Sequence, residues 1–157
     1  LHAWTWVVFV LLCLQIVYGA FVAGLDAGRL YTTFPLMLKW WFPPDAIQST
    51  WQPAIRNFFM NPVAVQFVHR WLGVLLLTAV VWVWIASVRR EVTDRVRAGY
   101  NWMLAMCCLQ VVLGIATLVN GNTGGRIQMA AAHQMTACFL LAAFVVTLQG
   151  FQRPRDT

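Results

Sequence analysis

The sequence predicts an all-α integral membrane protein, a four-transmembrane-helix bundle made of two repeated helical hairpins. Three observations predict it. The 157-residue chain is 61% hydrophobic and only 10% charged, whereas soluble domains run near half apolar and a quarter charged. Four apolar runs, at about residues 4–24, 63–86, 100–119 and 127–149, each reach the ~20 residues that cross a ~30 Å hydrocarbon core as a helix. A short pattern also recurs: "LQIVYGA" in the first run and "LQVVLGI" in the third, giving Gln15/Gly19 and Gln110/Gly114 the same spacing.

The first span places Gln15 and Gly19 on one helix face, since residues four apart are neighbours there. The glutamine reads as interhelical hydrogen-bond glue and the glycine as a point of close approach. Residues 25–62 follow, with Pro35, Pro43, Pro44, Pro53 and Pro62 and the aromatics Trp40, Trp41 and Trp51. That content suits a cap folded over the outer end of the bundle better than a flexible linker. The second span, within "NPVAVQFVHRWLGVLLLTAVVWVWIA", carries Gln66, His69 and Arg70 in its first turns, where an ionisable group is expensive to bury and marks function. The third span repeats the first. A tight Gly/Asn-rich connection, "NGNTGGRIQ", leads to the fourth, where "MAAAHQMTA" carries His133. Each histidine lies about six residues into its span, roughly 9 Å along the axis. The chain thus reads as one membrane domain over residues 1–157, two hairpins in the same orientation about a pseudo-two-fold along the membrane normal.

The formal charge of +6 is unevenly spread. Arg89, Arg90, Arg95 and Arg97 crowd the second connection, and Arg153 and Arg155 follow the last span. The positive-inside rule puts both segments on the cytoplasmic side or its equivalent. The charge therefore reports topology, with lipid as the surrounding partner and no nucleic acid. Cys13, Cys107, Cys108 and Cys138 all fall within spans and form no CxxC, so they read as apolar packing residues. The chain opens on Leu1 without a signal-peptide pattern and reads as a piece of a longer protein. Arginine-rich usage, with Lys39 the only lysine, leans toward a bacterial inner membrane over a mitochondrial one.

The chemistry is carried by His69 and His133. Both helices run the same way through the membrane, so the imidazoles share a depth and project toward one point. A single intramembrane histidine is commonly a hydrogen-bonded structural residue. Two at matched depth in a repeat point to metal or haem ligation, the pair a six-coordinate haem iron requires. No third or fourth ligand lies at that depth for zinc, and His2 belongs to the opposite end. Ala130 and Ala137 flank His133, and Gly73 follows His69 by one turn, leaving room for a flat macrocycle; Gly19 and Gly114 do the same or allow close helix packing. Arg70 and Arg126, with Arg29 and Arg56, are candidate partners for haem propionates, because guanidinium matches carboxylate geometry. Asp26 and Asp45 belong to the outer loop, and Glu91 and Asp94 to the inner side. No catalytic residue is assigned. The residues support a b-type haem electron-transfer module, with a cofactor-free scaffold as the competing reading.

"GAFVAGLDAG", "YTTFPLM", "NPVAVQFVHRWLG" and "AAAHQ" together resemble haem A synthase of the proteobacterial and mitochondrial type, in its C-terminal half, across essentially the whole chain. The resemblance implies half of an eight-helix pseudo-symmetric fold. It implies an oxidoreductase that converts the C8 methyl of haem O to a formyl group for cytochrome c oxidase. It also implies that His69 and His133 ligate haem b as a relay, while the other half holds the haem O substrate. In that other half a catalytic glutamate stands three residues before the first histidine; here the place is Gln66. Haem O synthase and an electron donor are the implied partners, and homo-oligomerisation is open. An independent membrane b-type cytochrome is the alternative, and the chain alone is expected to bind haem b without hydroxylating haem O.

Overall fold

A computed structural model describes residues 1–121 and 123–152; Arg153 and Arg155 of the topology argument lie outside them. The described residues form five α-helices: α1 (His2–Gly24), α2 (Asn57–Met60), α3 (Pro62–Val88), α4 (Asp94–Val119) and α5 (Arg126–Gly150). α1, α3, α4 and α5 are each long and apolar enough to cross a membrane. Three of the four begin and end within two residues of the expected runs. α4 starts six residues early, because Thr93 caps it by accepting from the Val96 amide at 3.4 Å. Its first turns carry Asp94, Arg95 and Arg97, which an apolar run cannot reveal; of these Asp94 complements the positive end of the helix dipole.

α4 packs most extensively on α5, and α1 on α3; α3 meets α4, and α1 meets α5 less closely. The helices therefore stand in the cyclic order α1, α3, α4, α5, with antiparallel neighbours. α3 and α5, which carry the two histidines, are diagonal and parallel, as are α1 and α4. Large apolar side chains such as Val10, Leu75, Val112 and Phe139 point outward and exposed, as lipid-facing residues do.

The repeat extends well beyond the short pattern legible in sequence. Thr5, Val8, Leu12, Gln15 and Gly19 of α1 are matched in order by Tyr100, Met103, Cys107, Gln110 and Gly114 of α4. His69, Gly73, Leu76, Val80 and Val83 of α3 are matched by His133, Ala137, Leu140, Phe144 and Thr147 of α5. Nearly all the matched apolar residues belong to one buried core. Thr5 and Tyr100, equivalent under the repeat, hydrogen-bond to each other across the diagonal at 2.5 Å. That bond lies on the pseudo-two-fold and closes the arginine-rich end. The core starts at Leu76 and Leu140, seven residues or roughly 10 Å past each histidine.

Over the histidine end, residues 25–61 fold as a cap containing short 3₁₀ turns at Ala27–Arg29, Pro44–Ala46 and Ala54–Arg56. Met37 and Ala46 are buried against Val63 and Ala64 at the start of α3. Asn61 joins the two. Its Oδ1 accepts from the Val63 amide at 3.0 Å, and its Nδ2 donates to the Asp45 carbonyl at 2.8 Å and the Ala46 carbonyl at 3.2 Å. Pro62 at the first helical position needs no amide partner.

Candidate cofactor site

His69 and His133 sit one on each diagonal helix at the level where the packed core stops. Each ring rests on the glycine of its hairpin partner. A Cβ on Gly19 would stand 3.2 Å from His69 Cε1, and one on Gly114 would stand 3.0 Å from His133 Cε1. The absent side chains are the space the imidazoles occupy, so the glycines serve the histidines directly.

In both rings Nδ1 is buried and lacks a hydrogen bond of good geometry. The amide of Gln15 donates to the His69 carbonyl at 3.1 Å and lies 3.5 Å from His69 Nε2. Gly73 admits it, since a Cβ there would come within 3.1 Å of Gln15 Nε2. Gly73 therefore makes room for Gln15 rather than for open space. At the equivalent place on α5 stands Ala137, half-buried, as is Ala130 one turn before His133. Among the described residues no three His, Cys, Asp or Glu side chains converge. Two neutral nitrogen donors on facing helices, with glycine-thin walls and an apolar floor, fit a six-coordinate haem iron.

Arg70 turns away from the interior. Its Nη1 donates to the carbonyls of Thr33 (2.7 Å), Leu36 (3.1 Å) and Pro35 (3.2 Å), and its Nη2 to that of Tyr31 (3.1 Å). Among the described residues no carboxylate pairs with this guanidinium, and carbonyl dipoles of the cap take that place. Gln66 donates to the same Tyr31 carbonyl at 2.9 Å. Arg126 lies at the cap end, paired with Asp26, which also binds Arg29. The Arg126 guanidinium, and more weakly Arg29, holds the Asp26 carboxyl below the usual carboxylate range. Arg29 and Arg126 line an open pocket of about 280 Å³ with Gly121 and Thr123. Arg56 is exposed at the edge of the cap, and His2 stays at the far end, accepting from Trp6. Sequence reasoning missed the carbonyl cage around Arg70 and the Thr5–Tyr100 bond; the matched spacing of Thr5 and Tyr100 was the available signal for the second.

Residues 1–145 match the family model described as cytochrome oxidase assembly protein, COX15-CtaA. The chain is similar to a heme A synthase of Ruegeria pomeroyi, 44% identical over 87% of this chain and 33% of the relative. It is also similar to one of Roseobacter denitrificans (46%, 79% of this chain, 31% of the relative) and to the heme A synthase COX15 of Mus musculus (38%, 86% and 32%). The chain spans about a third of the length of these curated relatives. No solved structure matches it. Four apolar spans and bacterial and mitochondrial relatives mark a multi-pass inner-membrane protein. By its residues 1–145, the chain belongs to the COX15-CtaA family of cytochrome oxidase assembly proteins.

Proposed function

We propose that this chain is the haem-b-binding, C-terminal half of a haem A synthase, an oxidoreductase that converts the C8 methyl of haem O to a formyl group for cytochrome c oxidase. The observation that carries this reading is the pair His69 and His133, each seated on a glycine of its hairpin partner, on diagonal helices above a solid core. Relatives named heme A synthase support the pathway.

His69 and His133 would hold the iron through an imidazole nitrogen each, the rings positioned by the glycines they rest on. Bound there, haem b supplies one-electron carriage. Ala130 and Ala137 keep the surrounding wall thin, while Gly73 admits Gln15, which braces the His69 turn. Arg126, with Arg29, brings positive charge to the cap end for carboxylates of the cofactor. Arg70 contributes through the cap. Among the described residues no carboxylate lies beside the histidines, and on this reading the substrate haem O and its oxidation belong to the other half of the protein. An electron donor and haem O synthase are the partners this reading calls for.

The test is a reduced-minus-oxidised visible spectrum of detergent-purified protein beside His69→Ala and His133→Ala. A low-spin b-type band in the wild type, lost in both variants, is expected; haem A production by the isolated chain is not. A folded wild type that binds no haem would sink the reading.

A further inference from the structure

We propose that Arg70, with Gln66, is a positioning residue. It latches cap segment 31–37 over the His69 end of the bundle and sets how long a bound tetrapyrrole is retained, without itself determining ligation. The tetrapyrrole rests on the function proposed above; the latch does not.

The geometry has three parts. Arg70 and Gln66 are one helical turn apart on α3, and both donate to the Tyr31 carbonyl. Arg70 Nη1 has two hydrogens and three carbonyl acceptors, at Thr33, Pro35 and Leu36, so the segment wraps the guanidinium closely. The Phe34 ring lies 5.9 Å from the guanidinium carbon. The segment is itself drawn tight. Thr33 Oγ1 donates to the Leu36 carbonyl at 2.7 Å and accepts from the Leu38 amide at 2.7 Å. Leu38 has φ of 55°, a left-handed conformation that a non-glycine residue keeps only where surrounding contacts impose it.

The repeat supplies an independent argument. Positions equivalent to Gln66 and Arg70 on α5 are Ala130 and Gln134. The second hairpin has only the short connection after Val119 and no long cap to hold. The histidines are kept in both copies, and the clasp is present only beside the long loop. A role in ligation would call for it in both.

The experiment compares wild type, Arg70→Met, Arg70→Lys and the milder Gln66→Ala in detergent. The first arm is hydrogen exchange over residues 31–38 in haem-free protein. Arg70→Met should speed exchange at least about tenfold, the loss of one charge-assisted bond or more. Arg70→Lys should rescue only partly, because an ammonium cannot span four carbonyls. Gln66→Ala should move the same way by less. The second arm is haem transfer to apomyoglobin, where release should quicken in the same order while the low-spin band of the bound form is unchanged. Unaltered exchange in a folded Arg70→Met protein would overturn the latch, leaving the cap held by the burial of Met37 and Ala46. A loosened cap with unchanged haem release would overturn the retention role, and a lost low-spin band with an intact cap would make Arg70 a direct haem contact. If wild type binds no haem, the function proposed above fails while the first arm still decides the latch.

Discussion

At the scale of single residues, the two glycines under the histidines are the most sensitive positions. A Cβ on Gly114 would reach 3.0 Å from His133 Cε1, so even a methyl forces the ring to shift, and a branched side chain displaces it. Gly114→Val should abolish low-spin haem binding while the protein still inserts, and Gly19→Ala should weaken it. Gly73→Ala meets only the end of the flexible Gln15 side chain and should leave the band in place. Visible spectra of the three variants check this ranking. A pH effect belongs at the same scale. Arg126 holds the Asp26 carboxyl below the usual carboxylate range in the folded protein, so the pairing favours the folded state above that range and is lost as pH falls through the lowered folded value. Asp26→Asn should flatten that acid limb in thermal unfolding scans from pH 6 to pH 2, its loss of stability being small, present at pH 6 and gone by pH 2, because the Asp26 carboxylate is exposed. The histidines were legible from sequence because imidazole is rare in apolar runs. The partners of Arg70 were not, since main-chain carbonyls have no residue identity and only the folded loop brings them together.

At the scale of elements, α3 depends on how it begins. Asn61 is 1% exposed and caps the helix while tying down the loop before it. Asn61→Ala should cost about 2 kcal/mol or more, from a lost cap and two unsatisfied carbonyls, seen as a lower melting temperature with faster cap proteolysis. Between α1 and α4, Tyr100→Phe removes the Thr5–Tyr100 hydrogen bond across the diagonal. It should cost about 1 kcal/mol, within the range for interhelical bonds in membranes, measurable by denaturant unfolding in micelles. Spans were readable because hydrocarbon thickness fixes their length; the early start of α4 was not, because its first turns are polar and only Thr93 signals them.

At the scale of the whole molecule, repetition organises the bundle and lipid completes it. The cyclic order could not be read from the sequence, because hairpin pairing is set by side-chain fit between helices whose apolar residues surround them on all sides. Outward apolar positions bear the cost of charge: Leu75→Arg, at a site 54% exposed, should reduce membrane insertion by about 3 kcal/mol, read from the inserted fraction on translation into microsomes. Below the histidines the interior is of another kind. Thr136 and Thr147 spend their hydroxyls on carbonyls of their own helix, as does Ser87, and the Thr5–Tyr100 bond is isolated beneath apolar layers. Among the described residues this plug offers a proton no continuous series of side-chain hops. On the proposed function, a change of charge at the histidines would then be neutralised from the cap side. In sealed vesicles, the midpoint potential of a cofactor held there should follow the acidity of the compartment the cap faces and ignore that of the other.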